Sequence, residues 1–168
     1  TTRNSALAYS RDSPQKNWQL FNLCNTFNGW TRLGNLATKI EIELNEVPNR
    51  KRHKIYELNG KYNKFPTFYN KEDVSGTVKI NLGNKKSFEH KGIKLELLGT
   101  IQGKDPKLAY KFLGLAKELE QPGLLGESIK EYPFNFQGAS LEYESYRGSV
   151  RSIKYFLKVT ITTSLKTH

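Results

Sequence analysis

Four stretches of the chain alternate apolar and polar residues with a period of two. They cover residues 38–44, 74–80, 93–97 and 153–161, and we expect the last to be the longest strand. This alternation is typical of β-strands that bury one face and expose the other to water. Several such strands in one chain predict an all-β, immunoglobulin-like sandwich of two packed sheets.

Dipeptides that favour turns separate these stretches. Asn59-Gly60 is a strong signal for a two-residue hairpin, because a type I′ turn needs positive φ at both central residues. Gly83-Asn84 and Pro122-Gly123 mark further turns. The turn signals therefore agree with the division of the chain into short strands.

Residues 1–36 differ from the rest and predict a short N-terminal helix. Pro14 suits the first helical position and follows a serine that can cap the helix. We expect a helix over residues 14–26 that ends before Gly29. It either packs on the sandwich or docks on a partner, and packing within its own domain is the preferred interpretation. The apolar side chains at helical spacing are Trp18, Phe21 and Cys24.

One internal segment departs from the two-residue period. Between residues 107 and 120, apolar side chains recur at the spacing of a helix. Periodicity alone therefore predicts a helix here. The side chains that give this pattern are Leu108, Phe112, Leu115 and Leu119.

Length and composition fit one folded domain. Of the 168 residues, 36% are hydrophobic and 12% aromatic, which is enough apolar surface for a core. No apolar stretch approaches the roughly 20 residues of a membrane-spanning helix. Cys24 is the only cysteine, so no intrachain disulfide can form, and we expect a reducing compartment, the cytosol. Because methionine is absent, we expect the natural protein to be longer.

The net charge of +11 comes mainly from two basic stretches, residues 50–64 and the residues from 147 onward. If the two meet in the fold, they form one basic face that attracts acidic protein segments, anionic lipid headgroups or nucleic acid. The alternative interpretation is a solvated face that only aids solubility. The candidate partner-binding or membrane-facing residues are Arg50, Lys51, Arg52, Lys54, Lys61, Lys64, Arg147, Arg151, Lys154 and Lys158.

Residue types that carry metal or covalent chemistry are few and scattered. The histidines His53, His90 and His168 show no metal-ligand spacing with each other or with the single cysteine. A cysteine on an apolar face is usually core filling and not a nucleophile. The dispersed glycines make no phosphate-binding loop. We therefore predict no metal, no cofactor and no catalysis, and expect function to lie in surfaces.

Three segments near the end of the chain resemble the end of an arrestin amino-terminal lobe. Residues 132–136 contain an aromatic-Pro-Phe strand, residues 143–148 a Ser-aromatic-x-Gly turn, and residues 153–159 a strand with a central tyrosine. The physical interpretation agrees with the resemblance, since an aromatic strand, a tight turn and a long core strand follow one another. An arrestin-type sandwich is therefore expected.

Four segments in order resemble one branch of that superfamily, the vacuolar protein sorting-associated protein 26 family, the arrestin-like subunit of retromer. They are residues 74–78, 89–96, 117–123 and 154–161, and the resemblance runs from about residue 36 to residue 165. The family-motif residues, for which we expect structural roles, are Gly76, His90, Gly92, Pro122, Gly123, Phe134, Tyr146, Gly148 and Tyr155.

The resemblance also implies a domain organisation. Residues 37–165 correspond to the first of two sandwich lobes joined by a hinge, after an N-terminal extension of residues 1–36. We expect the carboxy-terminal lobe to be absent from this chain. Residues 112–119 form a strand in the family, so the helix predicted from periodicity is replaced by a strand. Asn70 is a departure, because relatives often have an acidic residue there.

The function implied by the resemblance is that of a non-enzymatic subunit of the retromer coat. This coat retrieves cargo receptors from endosomes to the trans-Golgi or the plasma membrane, and lies peripherally on the cytosolic face of endosomes. The expected partners are the large α-solenoid subunit, bound mainly through the absent lobe, sorting nexins and cargo-receptor tails. An anionic membrane surface is a further candidate partner for the basic residues. Edge strands suit the binding of extended tails.

Two alternatives stay open at this point. An arrestin-domain adaptor outside retromer would bind receptor tails directly. A nucleic-acid-binding module is suggested by the basic composition and abundant aromatics. No nucleic-acid fold signature accompanies that charge, and most aromatics fall on predicted core faces, so nucleic acid is not an expected partner.

Overall fold

Regular structure in the described chain is almost entirely β. The computed structural model describes residues 17–19, 30–33, 36–45, 47–56, 62–83, 87–105, 108–126 and 128–163. The strands are β1 (Asn17–Gln19), β2 (Trp30–Leu33), β3 (Leu36–Leu44), β4 (Arg52–Tyr56), β5 (Tyr62–Tyr69), β6 (Val74–Asn81), β7 (Phe88–His90), β8 (Ile93–Gln102), β9 (Tyr110–Glu120), β10 (Gly123–Leu125), β11 (Ile129–Phe136), β12 (Tyr146–Arg147) and β13 (Ser152–Ile161).

Two four-stranded antiparallel sheets form a β-sandwich. One has the strand order β11-β6-β3-β2 and the other the order β12-β13-β8-β9. Buried and exposed residues alternate along β11, because successive side chains of a strand point to opposite faces. The buried faces of both sheets contribute to one apolar cluster, so the core lies between them.

The core is built from the strands that alternation predicts. Val78 and Ile80 of one sheet and Leu95 and Leu97 of the other are completely buried. These inward positions alternate with polar residues in the sequence, which is the pattern expected for a half-buried strand. The predicted all-β sandwich is confirmed, and the four predicted strands correspond to β3, β6, β8 and β13.

Two smaller sheets accompany the sandwich. One has the order β1-β5-β4, and β10 pairs with β7 in the other. β4 and β5 are antiparallel neighbours, but Asn59-Gly60 lies outside the described residues, so the two-residue turn stays a prediction. Gly83 has φ of +63°, which agrees with its predicted place in a turn.

The segment with helical periodicity is strand β9. The helix predicted from periodicity is wrong, and the strand implied by the family resemblance is confirmed. The physical reason is the pairing with β8, whose register shifts twice, between Ile93 and Lys94 and between Gly99 and Thr100. Each shift changes which side chains face the core, so the two-residue period is lost. β9 also has 11 residues against 10 in β13, so the last strand is not the longest described.

The N-terminal helix prediction is corrected at three residues. Asn17–Gln19 is strand β1, and Trp18 pairs with Phe68 of β5. The rest of the predicted helix, within residues 14–26, lies outside the described residues. The physical reason is that pairing with an existing strand satisfies the backbone and overrides a local helical spacing.

Gly76 allows β3 and β6 to approach closely. A Cβ atom at this position would collide with the Glu43 carbonyl oxygen and lie 2.9 Å from the Leu44 Cα and 3.0 Å from the Phe134 ring. Backbone atoms cannot move away without disturbing the pairing of the two strands. The structure therefore gives a steric reason for glycine at this family-motif position.

We expect Gly76→Ala to lower the free energy of unfolding by about 1–3 kcal/mol, the usual range for overpacking a core. Chemical denaturation measures the change. Gly103→Ala is the matched control, since a Cβ at Gly103 meets nothing within 4 Å. Equal stability of the Gly76→Ala protein and the parent would contradict the steric argument.

Candidate partner-binding surfaces

The first basic stretch lies mainly on the hairpin of β4 and β5. Lys51, Arg52, Lys54 and Lys64 are all exposed, and Lys61 lies outside the described residues. In the antiparallel register Lys54 is directly opposite Lys64. Their side chains therefore project from the same face of the hairpin.

Arg50 does not belong to this exposed surface, which corrects its place among the candidate residues. Its side chain is only 10% exposed, and its Nη2 lies 2.5 Å from Glu72 Oε1. Its Nη1 donates to the Thr67 carbonyl at 2.6 Å, and the guanidinium lies 4.0 Å from the centre of the Phe68 ring. The planar guanidinium suits such combined contacts, so Arg50 fixes the base of the hairpin and is not offered to a partner.

The turn after β5 is held by side-chain acceptors. The second carboxylate oxygen of Glu72 accepts the Tyr69 N–H at 2.8 Å. Asp73 accepts the Gly138 N–H at 2.8 Å, and this hydrogen bond is the main reason that the pKa of Asp73 lies below its usual value. Asn70 accepts the Leu141 N–H at 2.9 Å, so its side-chain amide has a structural role in this turn.

The second basic stretch lies on the hairpin of β12 and β13. Arg147, Arg151 and Lys158 are exposed, and Lys154 is partly buried. Lys158 is opposite Glu96 of β8 in the register. These strands belong to the sheet of β12, β13, β8 and β9, whereas the first basic stretch belongs to the sheet of β1, β5 and β4. The two basic stretches therefore lie in different sheets, and their common role in binding stays a prediction.

One side of β13 is open over much of its length in the part of the chain that the structure describes. β12 contributes only two residue pairs on that side. The Gly148 N–H donates to the Arg151 carbonyl at 2.9 Å, which sets the alternation of this antiparallel ladder. By that alternation, the main-chain groups of Leu157 and Val159 point away from β8. An extended segment can add to the sheet here.

His90 is a buried family-motif residue with a structural setting. Its side chain is fully buried, and its Nδ1 accepts the N–H of Gly92 at 3.1 Å. In the neutral ring the proton then lies on Nε2, which is 4.0 Å from the Glu120 carboxylate. Gly92 reaches this contact with φ of +120°, a conformation that favours glycine.

Glu120 ties the two sheets of the sandwich together. Its carboxylate, at the end of β9, accepts hydrogen bonds from Lys130 at 2.7 Å and from the Tyr132 hydroxyl, both in β11. Burial raises the pKa of Glu120, but these hydrogen bonds and the charge of Lys130 outweigh burial, so its pKa lies below its usual value. The carboxylate is therefore ionised at neutral pH and links β9 to β11.

We expect Glu120→Gln to lower the free energy of unfolding by about 1–2 kcal/mol at pH 7, since it removes the charged acceptor between the sheets. Because the pKa of Glu120 is lowered in the folded state, its carboxylate contributes fully to folding stability above its ordinary pKa of 4.5. This contribution is lost as the pH falls through the lower, folded-state pKa. The difference from the parent should therefore shrink in acid. Urea denaturation between pH 3 and 7 measures it.

Glu118→Gln is the matched control for this experiment, because Glu118 is an exposed residue of the same strand. It should change stability by less than about 0.5 kcal/mol at every pH. A pH-independent difference for Glu120→Gln would contradict the role of its charge.

Tyr155 is a buried family-motif residue that anchors the chain before β12. Its hydroxyl donates to the Tyr143 carbonyl at 2.8 Å and accepts the Tyr143 N–H at 3.0 Å. Burial raises the pKa of Tyr155 to about 12, against a lowering by the backbone hydrogen bond of Tyr143. Phe112 packs edge-on against both tyrosine rings, at 4.9 Å and 5.3 Å between centres. Tyr155 therefore has a structural role, through its two hydrogen bonds and its ring contact.

The other family-motif residues divide between core and surface. Phe134 is in the core, and Pro122 and Gly123 are exposed at the turn into β10. Tyr146 lies against Gly148, where a Cβ would meet its hydroxyl and ring. Tyr146 and Gly148 flank Arg147 of the second basic stretch, whereas Phe134, Pro122 and Gly123 lie elsewhere in the lobe.

Sequence reasoning missed several residues that hold these surfaces in place. Glu72 lies 22 residues from Arg50 in the chain, and Lys130 and Tyr132 lie 10 and 12 residues from Glu120. Single-sequence patterns carry no signal for such pairs.

Two negative findings apply to the described residues alone. No group of three or more His, Cys, Asp or Glu side chains there is placed to hold a metal ion. No helix in that part of the chain is long and apolar enough to cross a membrane. The expectation of no metal and no cofactor stays a prediction.

Comparison with known proteins decides the family. The sequence model described as "Vacuolar protein sorting-associated protein 26" matches residues 35–168. The chain belongs to the vacuolar protein sorting-associated protein 26 family. This membership confirms the resemblance found in the sequence, and with the sandwich described above it confirms the arrestin-type fold class.

Relatives from an animal and a plant have nearly the same sequence identity to this chain. Vacuolar protein sorting-associated protein 26B of Mus musculus is 37% identical over 131 residues, covering 77% of this chain and 39% of that protein. The protein of that name from Arabidopsis thaliana is 38% identical over 127 residues, covering 75% of this chain and 42% of its own length. The chain therefore spans about two fifths of these relatives.

A solved structure with some likeness is that of Spo0M, a sporulation control protein from Bacillus subtilis. It has a TM-score of 0.41 and 14% sequence identity, and covers 75% of this chain and 48% of that chain. A likeness of this size carries no argument about fold or function. The assignment rests on the family match and on the described strands.

Proposed function

We propose that this chain is the first lobe of a non-enzymatic retromer subunit that scaffolds the retrieval of cargo receptors from endosomes. The observation that carries the proposal is the family match over residues 35–168. The relatives are named for vacuolar protein sorting. Retrieval to the trans-Golgi or plasma membrane is part of the proposal, as is a peripheral location on the cytosolic face of endosomes.

The buried polar groups support a scaffold and not a catalyst. Glu120 is bonded to Lys130, and Tyr155 is bonded to the Tyr143 backbone. His90 is enclosed in the core with its Nδ1 bonded to Gly92. These groups hold strands and loops in place, which leaves the exposed faces and edges for partners.

The proposed partners are the large α-solenoid subunit of retromer, sorting nexins and cargo-receptor tails. The large subunit would bind mainly through a second lobe, which lies beyond the part of the relatives that this chain matches. Residues 37–165 would then serve as the first sandwich lobe, next to sorting nexins and cargo. The rigid core suits this role because a docking surface needs fixed geometry.

The open side of β13 suits an extended cargo tail better than the edge strands β9 and β11 do. The edge strand β11 contains Pro133, which has no N–H to offer to an incoming strand. The edge strand β9 has two register shifts in its pairing, which twist the strand. β13 pairs with β8 without a shift over ten residues, so its main-chain groups are evenly spaced for strand addition.

Affinity purification of the natural protein that contains this chain tests the retromer assignment. We expect the large α-solenoid subunit to co-purify in stoichiometric amount, as identified by mass spectrometry. Recovery of receptor tails without that subunit would overturn the assignment and favour an arrestin-domain adaptor outside retromer.

Amide NMR of the chain tests the proposed edge. On titration with a cargo-tail peptide, the amides of Leu157 and Val159 should shift and gain protection from exchange, because their N–H groups acquire acceptors. The amides of Leu113 and Leu115 in β9 are the control and should not change. Protection at β9 in place of β13 would contradict the choice of edge.

A further inference from the structure

Two lysines lie directly opposite each other on one face of the β4–β5 hairpin. Lys54 of β4 is directly opposite Lys64 of β5, and Arg52 follows on the same face opposite Pro66. The described residues of this hairpin, 51–56 and 62–69, contain no aspartate or glutamate. The two lysines therefore share one face without an acidic residue on either strand.

This arrangement works against the stability of the hairpin. Residues directly opposite in an antiparallel pair have Cβ atoms about 4.5–5.5 Å apart, and like charges at that distance destabilise the pair. Glu72, which follows the hairpin in the sequence, is already bonded to Arg50 and to the Tyr69 N–H. No ion pair with Lys54 or Lys64 occurs among the described residues.

An aromatic side chain lies beside the cations on the same face. The Lys54 Nζ is 4.7 Å from the centre of the Tyr62 ring, and Tyr62 is 45% exposed. Tyrosine combines an apolar ring with a polar hydroxyl, and it is enriched where membrane and water meet. Lysine stems can lie along apolar surface while the ammonium reaches phosphate.

We propose that this face of the β4–β5 hairpin binds the anionic headgroups of a membrane surface. Two adjacent strands present Lys54 and Lys64 side by side on one exposed face, which suits a layer of phosphates. Among the described strands, the hairpin pairs with β1 and not with either sheet of the sandwich, so a membrane surface can reach it without displacing the core. The proposal holds whichever protein partners the lobe has.

Single-stranded nucleic acid is a poorer match to the same chemistry. Its binding relies on bases that stack on aromatic faces. One face of the Tyr62 ring is already covered by the Lys54 ammonium. The cations are also arranged as a patch on a hairpin and not along a groove that would follow a strand.

Vesicle co-sedimentation of the chain tests the proposal. The probes are vesicles of phosphatidylcholine alone and of phosphatidylcholine with about 30% phosphatidylserine, at low ionic strength. We expect binding only to the anionic vesicles. Lys64→Glu should weaken it by more than about fivefold, the factor for one surface cation, because it also adds a negative charge.

Thermal unfolding of the same variant separates loss of binding from loss of fold. Lys64→Glu replaces a like-charge pair with an opposite-charge pair across from Lys54, so its melting temperature should equal or exceed that of the parent. Lys64→Arg should retain vesicle binding. Lys117→Glu changes the same net charge at an exposed residue of β9 and should leave binding within about twofold.

Three results would overturn the proposal. They are equal binding to neutral and anionic vesicles, unchanged binding of Lys64→Glu, and an equal loss for Lys117→Glu, which would reveal a net-charge effect only. Binding of single-stranded RNA with a steep salt dependence, without vesicle binding, would replace the membrane with nucleic acid. Failure of retromer purification would leave this proposal standing, because the vesicle experiment involves no other protein.

Discussion

Burial of one face of each four-stranded sheet against the other is the interaction on which the rest of the structure depends. β6 and β8 supply completely buried residues to this layer, and β13 adds Leu157 and Val159. Side chains of this kind each contribute about 1.5–3 kcal/mol on burial. Once they face inward, the period of two fixes which residues face water. The placement of β13 at the edge of its sheet is therefore a consequence of core packing.

Polar contacts refine what the apolar layer establishes. The Glu120 carboxylate meets Lys130 and Tyr132 across the two sheets, and Arg50 meets Glu72 at the base of the hairpin. Both clusters join segments that are far apart in the chain. These contacts fix the relative positions of elements that core packing alone does not fix. They therefore determine the geometry of the surface more than the fold class.

Much of the fold was predictable because its signal is local. Alternation marks β3, β6, β8 and β13, since each strand shows its buried face in its own sequence. β9 defeats this logic, because its inward positions depend on register shifts that belong to its pairing with β8. Of the surfaces, charge located the exposed lysines, but it could not show that Arg50 is buried or that Lys54 faces Lys64. Those facts depend on partners elsewhere in the chain.

The β4–β5 hairpin is an insertion between two strands that are already neighbours. β3 ends at Leu44, opposite Gly76 near the start of β6, so the chain leaves the sheet and returns to it at almost the same place. A shorter connection could join the two strands without altering the core register. The hairpin can therefore be exchanged as a module, and its charge and length can diverge among lobes of this design while their sandwiches stay the same.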